Sequence, residues 1–155
     1  MPKEIDDYLA ECLEALGQAD PARSSTPRRI REVLDYWEEL WGGAVPPGER
    51  LLAAFVSNEP GTTHPKDLWC FAKQRCVMAK NLEGAQLDLE THAFSGGPKR
   101  LRVAKNFTDN PGAGSRMAVA IWFDDGANAV IEASEANCGP LETLLKEILL
   151  PMLQA

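Results

Sequence analysis

The chain has 155 residues, 45% hydrophobic and 25% charged, with 16 Lys or Arg against 23 Asp or Glu and a formal net charge of −7. That length supports one domain whose core needs neither disulfides nor metal. The acidity excludes nucleic-acid wrapping and adhesion to an anionic membrane, both of which need an excess of cations, and no apolar run is long enough to cross a bilayer.

The first residues, Met1-Pro2-Lys3-Glu4-Ile5-Asp6-Asp7, are too acidic and polar for a signal peptide. A cytoplasmic protein is expected, with Cys12, Cys70, Cys76 and Cys138 as free thiols. Over residues 3–16, Ile5, Tyr8, Leu9, Cys12, Leu13 and Leu16 fall on one face at helical spacing, and Gly17 supplies the stop. A second helix starts at Thr26, read as its N-cap, with Pro27 at the first helical position. It runs to about Trp41 on a stripe of Ile30, Val33, Leu34, Trp37, Leu40 and Trp41, and Gly42-Gly43 ends it. Residues 1–43 are thus a helical pair.

Leu51–Val56 is short and apolar, and its periodicity does not separate helix from strand. From Lys66 the period is two. Strands are expected over Asp67–Met78, Ala85–Phe94, Arg100–Phe107, Arg116–Phe123 and Ala129–Ala133, separated by turn-forming residues at Asn81–Gly84, Ser95–Pro98, Asn110–Gly114 and Asp124-Asp125-Gly126. Five strands in succession predict an antiparallel sheet over 66–134 with one wet face. Pro140 opens an amphipathic C-terminal helix over 140–153, striped by Leu141, Leu144, Leu145, Ile148, Leu149 and Met152. The order helices, sheet, helix indicates a single α+β domain.

Several residue groups could carry chemistry. Arg28, Arg29 and Arg31 cluster at the start of the second helix, where free N–H groups and the helix dipole already attract anions; guanidinium forks there suit phosphate or carboxylate. Lys99, Arg100, Arg102 and Lys105 make a second basic patch on one strand, which also fits the protection of a sheet edge. Cys70 and Cys76 are too far apart for the common zinc knuckle, so no cofactor is expected from spacing alone. A zinc site would have to converge from Cys76, Cys138 and a histidine such as His92. Asp88, Glu90 and His92 share a strand face, and Glu132 and Glu135 flank Ser134. No local Cys–His dyad and no Gly-rich phosphate loop after a strand is present.

Ala15-Leu16-Gly17, a linker holding Asp20-Pro21, the helix start Thr26-Pro27-Arg28-Arg29-Ile30 and the helix end Glu38-Glu39-Leu40-Trp41-Gly42 together resemble the N-terminal region of GTP cyclohydrolase I, over about residues 10–43. Cys76 falls where that family's first zinc cysteine would, and Val130-Ile131-Glu132-Ala133 before Cys138 is similar to the strand leading to its second. The family's Cys-Glu-His-His reads Cys76-Val77-Met78-Ala79 here, and its His-x-Cys reads Ala136-Asn137-Cys138. The resemblance therefore implies a purine- or pterin-like ligand held by the helix-two arginines and Glu132, with weak or lost catalysis.

Two functions fit these residues. One is a non-enzymatic acidic protein that binds a protein partner or self-assembles, with Leu145, Leu149 and Met152 of the apolar last helix as its contact surface. The other is the ligand-binding relative of GTP cyclohydrolase I. Nucleic acid and membrane are expected as partners of neither.

Overall fold

The computed structural model describes residues 3–59, 61–86, 88–95, 97–106 and 115–153. Leu87, Phe107 and the expected Asn110–Gly114 turn lie outside them. The fold is α+β, as expected, and the described residues form seven strands in two sheets rather than five in one.

Helix α1 spans Ile5–Ala15 and buries Tyr8, Leu9, Cys12 and Leu13. The backbone N–H of Glu4 donates to Asp7 Oδ2 at 2.8 Å, which holds the first turn. Gly17, at φ +68, ends the helix; its N–H bonds Glu14 O, and Gln18 N–H bonds Leu13 O. Helix α2 spans Thr26–Leu40 and buries Ile30, Val33, Leu34 and Trp37. Ser25, not Thr26, occupies the N-cap. The Thr26 hydroxyl reaches instead across the fold to the Glu83 carboxylate. Leu40 departs from the expected stripe and is exposed. Trp37 donates its Nε1–H to Glu49 O at 3.0 Å and meets Trp41 edge-on.

The first sheet is an antiparallel meander of β1 (Ala53–Asn58), β2 (Pro65–Phe71), β3 (Arg75–Lys80) and β4 (Asp88–Ala93). The segment 67–78, expected as one strand, is in fact a hairpin. Its tight turn at Ala72–Arg75 contains no Gly, Asn or positive φ. The turn is held from outside, by Gln74 N–H on Gly48 O and Phe94 N–H on Gln74 O. β1 is buried along its whole length, and β2 and β3 along most of theirs. These strands therefore read as continuous apolar runs rather than as alternation.

The second sheet is β5 (Arg100–Asn106), β6 (Arg116–Trp122) and β7 (Asn128–Ser134), also antiparallel. Here the expected alternation holds: Met117, Val119, Ile121 and Phe123 are buried while Ala118, Ala120 and Trp122 face outward. The sheet meets the first one at both of that sheet's edges. At β4, Phe123 stacks on His92 at 4.3 Å between ring centroids and Asp124 N–H bonds Ala93 O. At β1, buried Asn58 is tied to Ser134 and Asn137. The inward faces complete one core, in which Phe55, Phe71, Phe94 and Phe123 are fully buried; each contributes about 2–3 kcal/mol by leaving water.

The C-terminal run is α3 (Cys138–Leu144), a π-helical turn (Leu145–Leu149) and a final helical turn (Leu150–Leu153). The wide turn sits where Pro151 lacks an N–H and its ring would crowd the carbonyl four residues back. This run approaches Gly97 so closely that a Cβ on that residue (φ +104) would lie 2.5 Å from Met152 O. Gly97→Ala is accordingly expected to cost about 2–4 kcal/mol in guanidinium unfolding.

Candidate functional site

The structure gives the α2 arginines local partners. Arg29 is half-buried and donates to Gly84 O at 2.7 Å, with Glu32 at 3.6 Å. Arg31 pairs with Asp6 of α1, and Arg28 lies near Glu32. Only Arg28 lines the open hollow at the helix start, together with Arg23, Ser24 and Ser25. Glu132 lies on β7, and none of these arginines contacts it. The residues expected to hold one anionic ligand are thus divided among separate surroundings.

The metal candidates are also divided. Cys76 stands opposite His92 in the β3–β4 register, yet it is wholly buried, and burial pushes its thiol well above the usual range. The His92 ring lies flat on Phe123, with Nε2 at 2.9 Å from Glu90 Oε1. Lys80 bonds the same carboxylate at 2.9 Å and, with His92, draws the Glu90 pKa down. Cys138 begins α3, its Sγ 3.6 Å from the carbonyls of Ser115 and Ala133. Among the described residues no group of three or more His, Cys, Asp or Glu side chains converges as metal ligands.

The expected contact surface on the last helix needs correction. Leu149 is fully buried and Leu145 nearly so, inside the chain's own core, and Met152 is half-buried. These leucines share the inward stripe with Leu141 and Leu144; Leu150 and Leu153 are the large apolar side chains that the run leaves exposed.

The described residues leave another surface uncovered, the outward face of the second sheet. Residues directly opposite in an antiparallel register share a face. The outward rows are Arg100–Trp122–Asn128, Arg102–Ala120–Val130 and Ala104–Ala118–Glu132, with Arg116 at the end. The floor is small and apolar, made of three alanines and Val130, the last 45% exposed. Arg102 and Arg116 form no ion pair with any described carboxylate, and Arg100 lies over the Trp122 ring at 4.8 Å. A concavity of about 220 Å³ opens at the Ser134 end, lined by Asn58, Ala104, Arg116, Ala118, Glu132 and Ser134. On a chain of net charge −7, this face carries three guanidinium groups and one carboxylate.

Part of this surface is legible in the alternation of Arg100, Arg102 and Ala104. Arg116 joins it only through the β5–β6 register, which no local pattern encodes. The Asn58–Ser134–Asn137 cluster beneath has no sequence signature either, since its members come from distant parts of the chain. Comparison with protein-family models, with curated proteins and with solved structures finds no match.

Proposed function

We propose that the protein acts by binding a protein partner through the second sheet, not through the last helix. The observation that carries this reading is the outward face of β5–β6–β7, with its apolar floor and with Arg102 and Arg116 forming no ion pair among the described residues. Interfaces commonly place such a floor inside a polar rim, with arginine among the anchors. The first sheet offers no equivalent, because its three leading strands are buried. Four free cysteines suit a reducing compartment, so a cytoplasmic setting is part of the proposal. The reading as a purine- or pterin-binding relative of GTP cyclohydrolase I lacks comparable support, since Glu132 and the α2 arginines do not share a surface.

The test places a photo-crosslinking residue at half-buried Ala120, with a control at Tyr36, which is 45% exposed on α2. The expected adduct forms at position 120 and not at 36. Its second chain is identified by mass and purified, and its binding is measured again against Ala120→Glu. An adduct of twice the chain mass would mean self-assembly. No adduct at 120, or full binding by Ala120→Glu, would overturn the reading.

A further inference from the structure

We propose that the partner element is an extended segment with Asp or Glu at alternate positions, which pairs along the free edge of β5. The inference rests on the second sheet being the binding surface and adds the chemistry of what it binds.

β5 is seven residues long and, among the described residues, pairs on one side only, with β6. Its other side offers backbone donors and acceptors to an added strand. Arg100, Arg102 and Ala104 alternate outward along it. Side chains on one face of a strand recur about every 6.6–6.8 Å. An added strand has the same pitch, so its alternate carboxylates would stand beside Arg100 and Arg102. Each carboxylate can take two parallel N–H bonds from a guanidinium fork. The residues in between would lie on the inward side, next to Val103, which is 42% exposed. Arg116 extends the cationic row onto β6.

Two rival occupants fit less well. A second copy pairing β5 to β5 would bring Arg100, Arg102 and Lys105 of both copies onto one short ladder with no carboxylate on either strand to answer them, which an acidic strand supplies. A single-stranded nucleic acid would need a bare aromatic face for its bases, but the Arg100 guanidinium already covers Trp122. The other basic cluster, on α2, is neutralised by Glu32 and Asp6.

The experiment titrates the full chain with a twelve-residue peptide alternating Glu and Val, against the same peptide with Lys for Glu and an oligonucleotide of equal charge. The Glu peptide is expected to bind saturably, with affinity falling as salt rises and dropping tenfold or more in Arg100→Glu/Arg102→Glu. Arg28→Glu should bind like the parent. Hydrogen exchange should slow at alternate β5 amides when the peptide is bound, a result that mere charge attraction would not produce. No binding of the Glu peptide by the parent chain, unaltered binding in the double variant, tighter binding of the oligonucleotide, or unchanged β5 exchange would overturn the proposal. If crosslinking at Ala120 captures a partner without an acidic strand, the second sheet remains the binding surface and only this inference falls.

Discussion

Asn58→Ala is expected to destabilise the protein by about 3–5 kcal/mol, far more than its two lost polar atoms suggest. Asn58 is 1% exposed, at the end of β1 where the register with β2 slips. Its Oδ1 accepts the backbone N–H of Ser134 and an Nδ2–H of Asn137, each at 3.1 Å. Its own Nδ2 donates to Thr62 O at 2.7 Å and Ser134 Oγ at 2.9 Å. Asn137 donates further to Val56 O, so a few amide atoms join β1, β7 and the start of α3. Alanine removes these bonds at once and leaves the Ser134 N–H buried without its acceptor, which costs more than the bonds were worth as a net gain. Guanidinium unfolding at pH 7 measures the loss. Asn58→Asp should be worse still at that pH. It keeps the acceptor but turns the donor into a buried anion facing the Thr62 carbonyl. Burial raises that carboxyl above its unfolded value, so the variant should regain stability as pH falls and the acid becomes a donor. An alanine variant within about 1 kcal/mol of the parent would show that apolar contacts, not this cluster, join the two sheets.

The same cluster explains what was legible beforehand. Elements built from local periodicity were readable: the buried stripes of α1 and α2, and the in–out alternation of β6. Elements buried on both faces were not. β1 and the β2–β3 hairpin lack alternation, and the turn between Ala72 and Arg75 lacks turn residues because Gly48 and Phe94 supply its partners. The division into two sheets depends on Asn58 meeting Ser134, 76 positions away, and on Phe123 meeting His92. Side chains far apart in sequence set those contacts. The site followed the same rule. Arg100 and Arg102 announce a basic strand face, whereas only the fold shows that Arg28, Arg29 and Arg31 have partners of their own and that Leu145 and Leu149 point inward.

Stability is expected to fall steeply from about pH 9, before the lysines begin to titrate near pH ~10.4. Burial pushes the thiols of Cys12 and Cys70 up to about 12 and that of Cys76 well above its usual range. In the unfolded chain all three ionise near pH ~8.5. Above that value the unfolded state sheds protons that the folded state keeps. Stability fully present below pH ~8.5 is therefore lost as pH rises, by about 1.4 kcal/mol per pH unit for each thiol. Three thiols together lose about 4 kcal/mol per unit, a large share of what holds a domain of this size. Tyr8, raised to about 12 by burial and by Glu147, adds to the loss above pH ~10. Guanidinium midpoints measured from pH 7 to 10.5 under reductant should show this slope, and Cys12→Ala or Cys70→Ala should each remove about a third of it. A flat profile to pH 10.5 would mean the thiols are not sealed in the native state. The slope also tests the zinc alternative directly. A Cys76 that held zinc would already be a thiolate in the folded protein and would drop out, leaving the slope of two thiols. Removing metal with a chelator would then restore the third.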